Sequence, residues 1–226
     1  MRFPVALVVS VFLGGVFFVS TTIHAVLHQQ VSWWYLATNF FLILNILICY
    51  WEMCLFKHAD YVSDHASALM DAHSHEKGKP VMAFLFDKIS MKDVLSMKYW
   101  SQLWGVYALF DGSYADRRTF GFNVDIGNGM FSILPSLFIH LALTWHVFPA
   151  VVVGIVALCV FYQVTYCTFM YWVSFFQVGR HKHISFQEQC IYIWGTNAPW
   201  FIFGLIGVYV SIRLILDNNY LVVITG

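Results

Sequence analysis

Five runs of about twenty or more residues, almost free of charge, dominate this 226-residue sequence: 5–27, 35–57, 122–144, 148–175 and 190–215. A hydrocarbon core of roughly 30 Å takes about 20 apolar residues as a helix. Inside it the backbone has no water to bond, so a helix that satisfies its own N–H and C=O groups is the form such a run must adopt. The expected fold is therefore all-α: a polytopic integral membrane five-helix bundle, one transmembrane domain over 1–226. Only 11% of the residues are charged, against about a quarter in an ordinary soluble domain. A water-soluble fold would leave much of this surface stranded. The first run follows Arg2 in the manner of a signal peptide, but it continues through Ile23, Ala25, Val26 and Leu27. That exceeds a usual h-region and reads as a membrane span.

Charge gives the runs a direction. Arg2, the cluster from Lys57 to Arg118, and Arg180 with Lys182 all fall on one side after five crossings, and the opposite loops carry no Lys or Arg. The excess of positive charge predicts a cytoplasmic N-terminus. Arg213, near the far end of the last run, is long enough to snorkel. Trp33, Trp34 and Tyr35 belong at a headgroup interface, and the short turn around Trp145–Pro149 makes spans three and four an antiparallel hairpin. Formal charge balances, with 12 Lys+Arg and 12 Asp+Glu, so no nucleic-acid partner is expected. Cys49, Cys54, Cys159, Cys167 and Cys190 have no CxxC spacing and read as buried thiols.

The long connection between spans two and three is of mixed character. Residues 58–80 are polar with modest helical character. Residues 81–98 read as an amphipathic surface helix, and 99–110 are apolar but too short to cross, so 81–110 is expected at the membrane interface.

Polar side chains within the runs carry the chemistry. Glu52 lies late in span two, with Asn45 seven residues earlier, a spacing that lets both face one groove. Asp125 and Asn128 open span three. Thr196, Asn197 and Trp200 sit in span five. A carboxylate in hydrocarbon costs a few kcal/mol even on lenient scales, so Glu52 and Asp125 are the leading chemical candidates; headgroup anchoring is the plainer alternative. Asn45, Asn128 and Asn197 also serve as interhelical glue, and Gly127 and Gly129 as points of close helix approach. Histidine offers a rival chemistry. His24 and His28 share a helix face at metal-ligand spacing, whereas His58, His65, His73, His75, His181 and His183 fit polar loops. No HExxH or comparable pattern occurs, and no metal or other cofactor is expected.

These residues resemble the emopamil-binding protein and its relatives, the EXPERA superfamily of sterol isomerases and sigma-2-receptor-like membrane proteins. Trp104, Tyr107, Asp111 and Tyr114 are similar to that family's tryptophan, tyrosine, aspartate-x-x-tyrosine stretch. Asp125 and Asn128 fall near its glutamate and threonine, and Asn197-x-x-Trp200 matches its last helix. The family's isomerases place a histidine four residues before the span-two glutamate, where this chain has Ile48. The resemblance implies five helices around a membrane-embedded cavity for a sterol-like or cationic amphipathic ligand. It also implies an intramembrane acid–base isomerase acting on an isoprenoid-like substrate. Asp125 would give a proton, Glu52 would take one, Trp200 would face the cation, and Asn128 and Asn197 would hold the acid. Asn45, Tyr107, Asp111, Tyr114 and Thr196 would support the pocket, with Tyr107 and Asp111 at its rim. A non-enzymatic lipid or amphiphile binder and a subunit of a membrane complex stay open, as does homo-oligomerisation; membrane lipids are expected partners throughout.

Overall fold

The structure is a computed structural model that describes residues 1–73 and 75–225; Ser74, in the polar stretch, and Gly226 lie outside the described residues. After a two-residue strand β1 (Phe3–Pro4) come helices α1 (Val5–His28), α2 (Trp33–Lys57), α3 (Ala59–His73) and α4 (Gly78–Phe86). Strand β2 (Lys88–Ile89), α5 (Met91–Val94), α6 (Met97–Tyr107), α7 (Phe120–Trp145) and α8 (Ala150–Gln177) follow. A short α9 (Phe186–Glu188) runs through a π-helical stretch, Gln189–Gly195, into α10 (Thr196–Asp217), and α11 (Leu221–Ile224) ends the chain. Among the described residues five helical segments are long and apolar enough to cross a membrane: α1, α2, α7, α8 and Phe186–Asp217. The last is longer at both ends than the run 190–215. We read the chain as a multi-pass membrane protein.

The chain divides into two compact units, and each long helix contributes residues to both. The first unit holds 1–11, 49–130 and 170–197. Here α3 packs on α6. The backbone of Gly105 lies so close to the His65 ring that an added Cβ would collide with it. The region 81–98 is not one amphipathic helix. Ser90 caps α5 in a reciprocal box with Asp93, and the Ser96 hydroxyl accepts from the Tyr99 N–H to start α6. Each serine offers the backbone a cap that competes with continued helix. Between α4 and α5 the chain extends, and β2 pairs antiparallel with β1, Phe3 opposite Ile89. Residues 99–110 are mostly α6, whose Trp100 and Trp104 are buried. The polar stretch supplies a full helix, α3, with Val62 and Ala66 inward.

The second unit holds 12–48, 131–169 and 198–226. Its core includes Phe41, Leu42, Ile139, Val153, Phe161 and Val210. Small residues let helices approach, as lipid gives no hydrophobic drive between them. A Cβ at Gly154 would meet the Ser211 carbonyl oxygen at 2.9 Å, and one at Gly204 or Gly207 would collide with Thr165 or Phe161. Arg213 pairs with Asp217 at 2.7 Å. Of the cysteines, only Cys49 and Cys54 are buried; Cys159 and Cys190 are exposed and Cys167 intermediate. A lipid-facing surface accepts a small apolar thiol as readily as a core does, which is why apolar surroundings in the sequence did not separate the two.

Two outcomes follow. Gly154→Val should lower the thermal stability in detergent by roughly 1–3 kcal/mol through overpacking, while Gly15→Ala, with open space around it, should not. Burial also holds the His65 imidazole below its usual pKa. Its folded pKa lies under the unfolded value, so α3 is at full strength above about pH 6.5 and weakens as pH falls from there toward the folded pKa. Amide exchange in α3, corrected for intrinsic rates, should quicken between about pH 7.5 and about pH 5.5, and His65→Gln should remove most of that dependence.

Candidate functional site

In the first unit α2 and α7 bring two carboxyl-bearing side chains into one polar cluster. Glu52 is 3% exposed. The Asn128 amide donates to both of its oxygens, at 3.1 Å and 2.9 Å. Cys49, one turn before Glu52, donates to the Asn128 carbonyl at 3.7 Å and accepts from the Asn128 amide at 3.6 Å. Gly129 makes this possible: a Cβ there would stand 2.9 Å from Glu52 Cβ and 3.1 Å from the Cys49 carbonyl. Gly127, by contrast, has nothing within 4 Å and fixes no approach. Asp125, half-buried, lies near enough to Glu52 for their charges to interact, and the Tyr114 hydroxyl reaches its carboxylate. Asn128 therefore holds Glu52 directly.

Beside this pair stands a cluster of aromatic rings. Tyr114 is stacked with Trp104 at 5.0 Å and edge-on to Tyr107 at 5.0 Å. Burial pushes the Tyr107 phenol up to about 12. Burial first, then Asp125, raises Tyr114 well above its ordinary value. Both stay protonated donors at neutral pH. Tyr107 donates to the Tyr192 carbonyl at 2.7 Å, and Asn197 donates to Tyr107 Oη at 3.1 Å and to the Ile193 carbonyl at 2.8 Å. Thr196 donates to the Tyr192 carbonyl too. The backbone explains these bonds. Pro199 has no N–H to give the carbonyl four residues back and crowds it, and the preceding turns widen to π geometry. Side chains bond the Tyr192 and Ile193 carbonyls of this stretch. Asn197 thus braces its own helix and Tyr107 rather than either acid.

Asp111 is not a rim residue. It is wholly buried, accepting from Arg180 at 2.7 Å and from Tyr171 at 2.7 Å, while its other bond starts the turn at Ser113. Nearby, a cavity of about 590 Å³ is lined by apolar Leu109, Phe110 and Val178 and by Lys77, Arg118 and Arg180.

The second unit holds Asn45 and Trp200. Asn45 donates to Ser136 at 3.1 Å and accepts from the Trp200 indole at 3.0 Å. Asn45 and Glu52 fall in different units, each with its own partners. The expected cluster of Glu52, Asp125, Asn128, Asn197 and Trp200 divides, its first four members in the first unit and Trp200 in the second. His24 and His28 meet a third histidine, His146. Sequence reasoning missed Cys49, Tyr171, Arg180 and His146. Cys49 was legible as the residue one turn before Glu52 on the same face, and His146 as the end of a span antiparallel to the first. Nothing in the spacing of Arg180 or Tyr171 marks them as partners of Asp111.

No protein-family model, curated protein or solved structure matches the chain.

Arg180→Met would leave Asp111 charged and buried without its partner. It should cost about 3–5 kcal/mol in thermal or denaturant unfolding, and adding Asp111→Asn should recover part of the loss.

Proposed function

We propose that the chain is an intramembrane acid–base isomerase acting on a lipophilic, isoprenoid-like or sterol-like alkene, with Asp125 as proton donor and Glu52 as base. The observation that supports it is the pairing of two acids at span depth in one unit, Glu52 clasped by Asn128 and Asp125 touched by Tyr114. A Leu–Leu pair would pack there without the desolvation penalty that two carboxyls carry.

In this reading Asp125 transfers its proton to one alkene carbon, leaving a carbocation at the other. Glu52 removes a proton from the carbon next to the cation, and the double bond shifts by one position. The acid is then a carboxylate and the base an acid, so Glu52 gives its proton up to water and Asp125 takes one from water before the next turnover. Nothing is oxidised or reduced, and the reaction calls for no cofactor. The rings of Tyr114, Tyr107 and Trp104 stand in the unit that holds both acids, so they take the cation-facing role first given to Trp200. Asn128 positions the base. Membership of the EXPERA superfamily, a cavity open to the membrane and a cytoplasmic N-terminus complete the proposal, the last resting on the distribution of Lys and Arg.

A second reading, an amphiphile binder without chemistry, has its own support. The 590 Å³ cavity joins an apolar wall to Lys77, Asp116, Arg118 and Arg180, a lining suited to the polar headgroup and the acyl chain of an amphiphile.

The experiment incubates detergent-purified protein with candidate isoprenoid alkenes in D2O. The expected product carries a single carbon-bound deuterium, and Asp125→Asn and Glu52→Gln each reduce its formation by about 100-fold or more. Full turnover in folded Asp125→Asn would sink the isomerase. Tight alkene or lipid binding by the unaltered protein, with no deuterium incorporated, would favour the second reading.

A further inference from the structure

The second unit carries three imidazoles that the acid site does not use. His24 and His28 lie on the last turns of α1, and His146 follows α7 directly. Ligating nitrogens of all three lie within 4.8 Å of one another. His24 is fully buried.

Their other nitrogens decide what the inner ones can do. His24 Nδ1 lies 3.1 Å from the Leu143 carbonyl. A carbonyl accepts only, so the proton sits on Nδ1 and Nε2 keeps a lone pair. His28 Nε2 lies 3.2 Å from the Thr144 carbonyl, which leaves its Nδ1 unprotonated by the same reasoning. His24 Nε2 and His146 Nε2 are buried with no hydrogen-bond partner. A buried polar atom left unpaired is costly, and here two occur in one cluster. A backbone carbonyl that holds one ring N–H of His24 and of His28 leaves the other nitrogen of each to ligate, the arrangement that orients histidines toward a metal.

We propose that His24, His28 and His146 bind one first-row divalent transition-metal ion. Three neutral imidazoles, with no carboxylate or thiolate among them, suit zinc, cobalt, nickel or copper and not magnesium or calcium. The tyrosines around them are walls. Tyr35 stacks on His24 at 3.7 Å and Tyr220 on His146 at 4.0 Å. The hydroxyl of Tyr35 is engaged with Ser20 and Thr144, and that of Tyr220 with Phe148. The fourth position therefore falls to water or an exogenous ligand. Bonds of about 2.0–2.1 Å to a tetrahedral ion bring ligand nitrogens to about 3.4 Å from one another. Binding closes the three rings by roughly an ångström and opens the parallel stack of His28 on His146, now 3.7 Å and 16°. The ion clasps the end of α1 to the turn after α7.

The test uses full-length protein in detergent with no histidine tag, stripped by chelator and titrated with Co²⁺, then Zn²⁺. One Co²⁺ per chain is expected, with the intense visible absorption of tetrahedral cobalt, displaced by Zn²⁺. His24→Gln and His146→Asn should each weaken binding by more than about 100-fold, beyond the loss of an outer-shell partner. Asn suits position 146 because the backbone there is left-handed, φ 53°, a conformation Asn tolerates. The exposed His75→Gln should bind as the unaltered chain does. Absence of a stoichiometric tetrahedral spectrum in the unaltered protein overturns the site, as does His75→Gln weakening binding as much as His146→Asn.

Discussion

Hydrocarbon offers no hydrogen-bond partner, so every polar group carried into the spans must find one within the protein. The backbone meets this demand by staying helical, and the hydroxyls by bonding back into their own helices: Ser20 to Val16, Thr165 to Phe161, Thr168 to Val164 and Ser211 to Gly207. Amides need a second helix. Asn39 donates to Ser20 and accepts from His140 at 2.8 Å, and Asn45 joins Ser136 to Trp200. Each of these is fully explained by satisfaction. Glu52 is different, because a leucine at that position would need no partner at all.

The cost of placing a carboxyl there is visible in its surroundings. Asn128 spends its amide on the two oxygens, Cys49 bonds in turn to Asn128, and Gly129 gives up a side chain so that α7 can approach the Cys49–Glu52 turn. Three positions serve one. The π-turn before Pro199 presents the opposite case. There Tyr107, Thr196 and Asn197 bond backbone carbonyls and one another, so their polar groups are met within the protein.

That contrast also explains how much could be read in advance. The five spans were legible because apolar length is a one-dimensional property. So was the acid pair, since a carboxyl inside an apolar run stands out wherever it points. What failed depended on rotation and neighbours. Asn45 and Glu52, seven residues apart, satisfied the helical period, yet they fall in different units with different partners. Asp111 looked like a turn residue at a rim, and its burial rests on Arg180 and Tyr171, both far along the chain. The break of 81–98 into separate elements came from Ser90 and Ser96, whose capping roles apolar periodicity does not reveal.

The carboxyls of the first unit differ in their partners and in their exposure. Asp116 and Arg118 pair at the surface, where Arg118 lowers the Asp116 pKa through hydrogen bonds and charge. Asp111 and Arg180 pair under cover, the arginine side chain 15% exposed and the aspartate 0%. Asp125 is half-buried against a phenol held protonated, and Glu52 is buried. Two like carboxyls, one clasped by an amide and the other reached by a phenol, are not equivalent, and the proposed division between donor and base rests on that inequality.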